Sequence, residues 1–149
     1  MQATYMQKAI KIAKKSYNED EVPVGALIID CNTGEIISAS GNLMKKNNDP
    51  TLHAEMNAIK EACKKRGTSR LTDCDMYVTL EPCPMCAQAI SFARIKRLYF
   101  GAYDTKGGGV EHGARIFEVS SCFHKTEIYG GINEQECGQL LKDFFLGKR

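Results

Sequence analysis

Two short segments, thirty residues apart, constrain this chain more than anything else in it. His53-Ala54-Glu55 and Pro82-Cys83-Pro84-Met85-Cys86 each open a stretch whose apolar residues recur at helical spacing. Positions three apart share a helix face, so Cys83 and Cys86 can grip a single ion. Pro82 and Pro84 suit a helix entry, where the first N–H groups have no intrahelical partner. The partial positive charge of a helix N-terminus lowers the pKa of a thiol and favours the thiolate that a metal requires. With His53, the donor set is one nitrogen and two sulfurs, which suits Zn2+ and leaves its fourth tetrahedral position open for water. A fold that uses this set must bring the beginnings of two helices together.

Glu55 stands two residues from His53 and cannot point the same way on an ideal helix. It is therefore expected to face the metal's open position and move protons as a general acid and base, rather than to ligate. Three other readings compete. Cys83-x-x-Cys86 alone is also a redox pair, although that leaves His-Ala-Glu unexplained. Cys63 or Cys74 could close the site into a structural clip. Glu55 could simply be a first-turn acid that favours the helix dipole.

The remaining pattern alternates helix and strand. Met6, Ala9, Ile10, Ala13 and Tyr17 mark a first helix. Val22 to Ile29 reads as a mostly buried strand with Pro23 near its start, and Glu35 to Ser40 returns after the turn Cys31-Asn32-Thr33-Gly34. A polar loop over Gly41 to Pro50 precedes a helix from about His53 to Arg66, which Gly67 ends. Strands over Met76 to Leu80 and Arg97 to Ala102 flank the Cys83 to Ala93 helix. A short helix over Ala114 to Val119 and a short strand over Glu127 to Tyr129 follow. A closing helix from Asn133 or Glu134 carries Leu140, Leu141, Phe144 and Phe145 on its apolar face. Strand–helix–strand units with short links predict an α/β fold, one sheet between layers of helices, and a single domain over residues 1–149.

Composition narrows the function classes. Twenty Lys and Arg against eighteen Asp and Glu leave a net charge of +2, so bulk charge gives no reason to expect a nucleic-acid or membrane binder. Lys64-Lys65-Arg66, Arg94 with Lys96-Arg97, and Lys148-Arg149 read as solvated ends that could together meet one short RNA loop. The Met1 to Lys15 segment lacks a signal-peptide core, and Val24 to Ile29 is far too short to cross a membrane. Seven cysteines without an export signal predict free or metal-bound thiols in a reducing cytoplasm. Gly107-Gly108-Gly109 matches neither a P-loop nor a dinucleotide fingerprint and is expected to be a flexible turn needing positive φ. His112 and His124 lack a carboxylate or cysteine at ligand spacing, and Cys31, Cys122 and Cys137 read as small buried side chains.

His-x-Glu with Pro-Cys-x-x-Cys is the pattern of zinc nucleobase deaminases. His53 through Ile59 and Tyr77 through Cys86 resemble the cytidine/deoxycytidylate deaminase superfamily. The likeness narrows to the bacterial tRNA-specific adenosine deaminases through Val22-Pro23-Val24-Gly25-Ala26, Arg94-Ile95, Phe100-Gly101-Ala102, Asp104 with Lys106-Gly107, and the closing Leu140-Leu141 and Asp143-Phe144-Phe145. The resemblance implies a three-layer cytidine deaminase-like sandwich with a central five-stranded mixed sheet. It implies hydrolytic conversion of the wobble adenosine to inosine in a tRNA anticodon loop, that of an arginine tRNA. It assigns His53, Cys83 and Cys86 to one Zn2+ per subunit and Glu55 to the proton shuttle. Asn42 and Ala54 would contact the flipped base, and Asp104 the ribose 5′ of it. Phe144, Phe145 and Lys148-Arg149 would approach the RNA. A homodimer with no organic cofactor and no membrane association is implied. Pro-Cys-Pro-Met-Cys also occurs in guanine deaminases, so a free-base or nucleotide deaminase of guanine or cytosine type stays open. So does a non-catalytic, zinc-stapled RNA-binding module.

Overall fold

The computed structural model describes residues 4–148. Thr4 begins the first helix, α1 (Tyr5–Asn18), with a reciprocal cap. Its hydroxyl accepts from Gln7 N–H at 3.1 Å and the Gln7 side chain accepts from Thr4 N–H at 2.9 Å. Met6, Ala9, Ile10 and Ala13 turn inward at helical spacing, as expected. The chain then forms β1 (Gly25–Asp30), β2 (Ile36–Gly41), α2 (Ala54–Arg66), β3 (Cys74–Leu80), α3 (Pro84–Phe92) and β4 (Arg97–Ala102). A single 3-10 turn at Ile116–Glu118, β5 (Glu127–Tyr129) and α4 (Glu134–Leu146) complete the order.

The five strands make one mixed sheet in the order β2-β1-β3-β4-β5. β1 pairs antiparallel with β2 and β3, whereas β3–β4 and β4–β5 are parallel, because α3 and the later chain supply the crossovers that parallel pairing requires. Buried side chains alternate across the sheet. Ala26, Ile28, Met76, Val78, Leu98 and Phe100 pack with α2 and α3 on one face. Leu27 joins α1 and Cys137 of α4 on the other. That is the expected three-layer sandwich. On the α1 face the tyrosines of adjacent elements form a ladder in which Tyr77, Tyr99 and Tyr129 stack and Tyr5 packs tilted at 42° against Tyr77. Tyr5 and Tyr77 are 5.3 Å apart, Tyr77 and Tyr99 4.5 Å, and Tyr99 and Tyr129 5.0 Å.

The first strand is shorter than its apolar run. Val22 to Val24 lie outside the sheet, with Val24 N–H bonded to Val22 C=O at 2.9 Å, so this stretch turns before β1 instead of pairing. Gly67 ends α2 in the left-handed conformation at φ 64°, and Pro84 occupies the first turn of α3, both as expected. The glycine run behaves differently. None of Gly107, Gly108 and Gly109 has positive φ, and the segment is not loose. A Cβ on Gly109 would lie 2.5 Å from Pro84 N, and one on Gly108 2.4 Å from Asp104 O. Glycine is required here for close backbone approach, not for a left-handed turn. Among the described residues, no helix is long and apolar enough to cross a membrane.

Candidate metal centre and active site

His53 is the N-cap of α2 and Cys83 the N-cap of α3, and neither side chain caps its own helix. Both side chains are thus available to meet between the helices. His53 Nδ1 lies 3.6 Å from Cys83 Sγ and 3.5 Å from Cys86 Sγ. The three donor atoms sit within 4.8 Å of one another. Zinc bonds of about 2.3 Å to sulfur and about 2.0–2.1 Å to nitrogen, at a tetrahedral angle, separate N and S by about 3.6 Å, so the cluster already has zinc dimensions. Among the described residues no fourth His, Cys, Asp or Glu joins the group. Cys63 and Cys74 therefore do not close a structural clip.

The electrostatics favour a thiolate at Cys83 beside a protonated Cys86. The contact with Cys86, together with that of His53, holds the Cys83 thiol down at about 4. The same Cys83 contact, with burial, pushes the Cys86 thiol well above its ordinary value. Cys83 also raises the His53 pKa. Glu55 is buried in the first turn of α2, and burial, then the charge on Cys83, push its carboxyl up to about 7.

Beside the cluster lies a cavity of about 170 Å³, lined by Val22, Val24, Asn42, Met44, His53, Ala54, Glu55, Leu80, Glu81, Cys83 and Asp104. It is smaller than the roughly 300–1,000 Å³ of drug-sized ligand pockets, so it admits one ring system rather than a whole nucleotide. Val22 and Val24 wall it because the chain bends before β1. Asn42 is buried and its Oδ1 accepts from Met44 N–H at 3.0 Å. Asp104 Oδ1 accepts from Lys106 N–H at 3.1 Å and Gly107 N–H at 2.8 Å. The two aromatic candidates separate. Phe144 is buried edge-on against Tyr17 and borders a neighbouring groove that shares Val22, Asn42 and Met44 with the cavity. Phe145 is half-exposed and lines a different hollow with Leu141 and Leu146. Lys148 pairs with Asp20 at the groove's edge, and Arg149 lies outside the described residues. A larger hollow, about 780 Å³ beneath Tyr5, Tyr77 and Tyr99, is on the sheet face away from the metal ligands.

Several basic groups are already paired: Arg66 with Asp30 at 2.7 Å, and Arg97 with Asp75 at 2.9 Å. Lys15 and Lys46, with Lys45, which pairs with Asp20, line a hollow that reaches Asn42. Cys122 and Cys137 are buried as expected, whereas Cys31 is partly exposed. His124 is satisfied through Nε2 and Ile95 C=O at 2.9 Å. His112 departs from expectation. Its Nδ1 is 2.8 Å from Glu81 Oε1, a carboxylate partner that no sequence spacing announces. Glu81 itself was not singled out by sequence reasoning. Burial works to raise its pKa, but His112 and loop N–H groups outweigh that and hold it below the ordinary value.

With this geometry in place, comparison with known proteins gives a consistent result. Residues 1–102 match the profile of the cytidine and deoxycytidylate deaminase zinc-binding region. The tRNA-specific adenosine deaminase of Agrobacterium fabrum is 49% identical over 146 residues, covering 97% of this chain and 94% of that protein. A solved structure from a study of A-to-I editing by tRNA:A34 deaminases at the wobble position superposes with a TM-score of 0.89 at 47% identity, covering 92% of this chain and 98% of that one. The guanine deaminase of Bacillus subtilis aligns with a TM-score of 0.65 at 40% identity, over 69% of this chain and 66% of that one.

Proposed function

The chain belongs to the cytidine and deoxycytidylate deaminase family, and we propose that within it this protein deaminates the wobble adenosine of a tRNA anticodon loop to inosine. The observation that carries the reading is a base-sized cavity that ends on His53, Cys83 and Cys86 with Glu55 buried beside them. It occurs in a chain nearly half identical, end to end, to tRNA-specific adenosine deaminases.

His53 Nδ1 and the sulfurs of Cys83 and Cys86 would hold one Zn2+ per subunit. When bound, zinc supplies a water acidic enough to ionise near neutral pH. Glu55 takes the proton released as the water oxygen bonds to carbon 6 and delivers it to ring nitrogen 1 of the purine; it then carries the second proton, from the new carbon-6 hydroxyl, to the amino group, which leaves as ammonia while carbon 6 becomes a carbonyl. Asn42, its Oδ1 already engaged by Met44, has amide N–H groups to donate to an acceptor on the base edge. Ala54 at the head of α2 adds a small wall that lets the ring approach. Asp104, at the cavity's side, accepts from the ribose of the nucleotide 5′ of the target. Lys45, Lys46, Lys148 and the aromatic edge of Phe144 line the approach for the loop, and Phe145 meets RNA further along α4. Extrusion of the target costs least from an unpaired loop.

The protein works as a homodimer in the cytoplasm. Phe92 and Phe123 are 74% and 93% exposed, and Ser91 Oγ, bonded to His124 C=O at 2.9 Å, keeps their segments adjacent, so together they offer apolar surface to a second copy. Seven free thiols fit a reducing compartment. The test is mass spectrometry of an arginine-tRNA anticodon stem-loop after incubation with the zinc-loaded protein. A gain of about one dalton at the wobble adenosine alone is expected. An unchanged stem-loop together with ammonia release from free guanine would replace this reading with the guanine deaminase one.

A further inference from the structure

One buried carboxylate, Glu81, joins the cavity wall to the chain that follows β4. Its side chain is 0% exposed and follows the last residue of β3. Oε1 accepts from Asp104 N–H at 3.1 Å and meets His112 Nδ1 at 2.8 Å. Oε2 accepts from the N–H groups of Val110, Glu111 and His112 at 3.2, 2.9 and 2.9 Å. Both ends of the 104–112 strap thus hang on one side chain. The strap leaves no slack, since a Cβ on Gly108 would lie 2.5 Å from Glu81 Oε2. Asp104 in turn builds the first turn of the strap through Lys106 and Gly107 N–H. Burying a carboxylate is expensive unless donors surround it, and here the strap's own backbone supplies nearly all of them.

We infer that Glu81 is a positioning residue for substrate binding: it fixes the backbone of Asp104, and thereby sets where the Asp104 carboxylate meets the ribose. This rests on the reading of Asp104 as a substrate contact given above. The chemistry of an amide makes the inference separable from general loss of packing. In Glu81→Gln the remaining oxygen can still serve Val110, Glu111 and His112 N–H. The new NH2 then faces His112 Nδ1, which can accept in its other tautomer, and Asp104 N–H, which cannot. The substitution unhooks Asp104 in particular.

The experiment compares Glu81→Gln, Asp104→Asn and the double variant on the stem-loop. It adds zinc content and amide hydrogen exchange at Asp104. The expected result is full zinc, faster exchange at Asp104, kcat near wild type, and KM raised about three- to tenfold, the scale of one lost hydrogen bond. The double variant is expected to be no worse than the worse single one. Penalties that multiply, zinc loss, or unchanged Asp104 exchange would overturn the inference. Should Glu81→Gln fail to fold, Glu81→Asp, which keeps the charge but shortens the reach to Asp104 N–H, must show the same KM signature and the same non-additivity. A wild-type protein that ignores the stem-loop and accepts a free base would instead sink the substrate reading, and that result needs no variant.

Discussion

Gly109 bears directly on the metal site, and replacing it with alanine should show how tightly that site is braced. The added Cβ would lie 2.5 Å from Pro84 N, 2.7 Å from Pro84 Cα and 2.8 Å from Cys83 C. All three obstacles are backbone, in the turn that carries one metal ligand and starts α3. Ordinary contact begins near 3.4 Å, so the two segments must part by almost an ångström. Gly109 cannot retreat easily, because its N–H donates to Pro82 C=O at 2.8 Å and its C=O accepts from Ile116 N–H at 2.7 Å. Overpacking of this kind costs about 1–3 kcal/mol, or about 2–12 °C in Tm for a chain of this length. If the turn yields rather than the strap, Cys83 moves with it, and a misplacement of about 1 Å at a reacting centre costs about a hundredfold in rate. The assay is thermal unfolding with zinc analysis and deamination kinetics, with Gly67→Ala as the control. Gly67 has nothing within 4 Å of its would-be Cβ, so alanine there bears only the strain of φ +64°, about 1–2 kcal/mol, with unchanged zinc. A Gly109→Ala protein that melts with wild type and turns over normally would refute the claim that the strap and the α3 entry are in hard contact.

Other expected outcomes follow from the same geometry. Glu55→Gln should lose about 10²–10⁴-fold in kcat while its zinc content stays at wild type, and metal loss would mean that Glu55 is a ligand instead. Cys86→Ser should lose zinc and activity together, measured by metal analysis beside the deamination assay; full zinc would point to another donor set. Asp20, whose carboxyl is held near 2 by Lys148 and then Lys45, should titrate there by NMR. Its folded-state pKa is depressed, so its contribution is present above about 4 and disappears as pH falls toward 2. An ordinary midpoint near 3.8 would show that these surface pairs do not persist in solution.

The three donors that the fold brings together were legible because each is tied to a helix entry that the chain announces locally: His53 before an apolar stripe, and Cys83 between two prolines. The central strands were legible for the same reason, since β3, α3 and β4 are local runs with short links, whereas the five-stranded mixed sheet was implied by the family resemblance. What stayed hidden depends on partners distant in sequence. Glu81 reads as an ordinary acid before Pro82, and only the folded chain brings His112 and three loop amides to it. The glycine run shows the same limit. Its composition suggested a flexible turn needing positive φ, whereas two of the obstacles that demand glycine, Pro84 and Glu81, lie more than twenty residues away. Val22 to Val24 kept a strand-like apolar pattern for a different purpose, because two of those side chains wall the cavity.

The tyrosine ladder offers an optical handle on all of this. The chain has no tryptophan, and four of its six tyrosines lie in a row on the sheet face away from His53, Cys83 and Cys86: Tyr77, Tyr99 and Tyr129 stack, and Tyr5 packs tilted against Tyr77. Near-ultraviolet circular dichroism therefore reports mainly on the α1 face of the sheet, away from His53, Cys83 and Cys86. A chelator that empties the site but leaves that signal intact has acted locally, whereas one that erases it has collapsed the sheet.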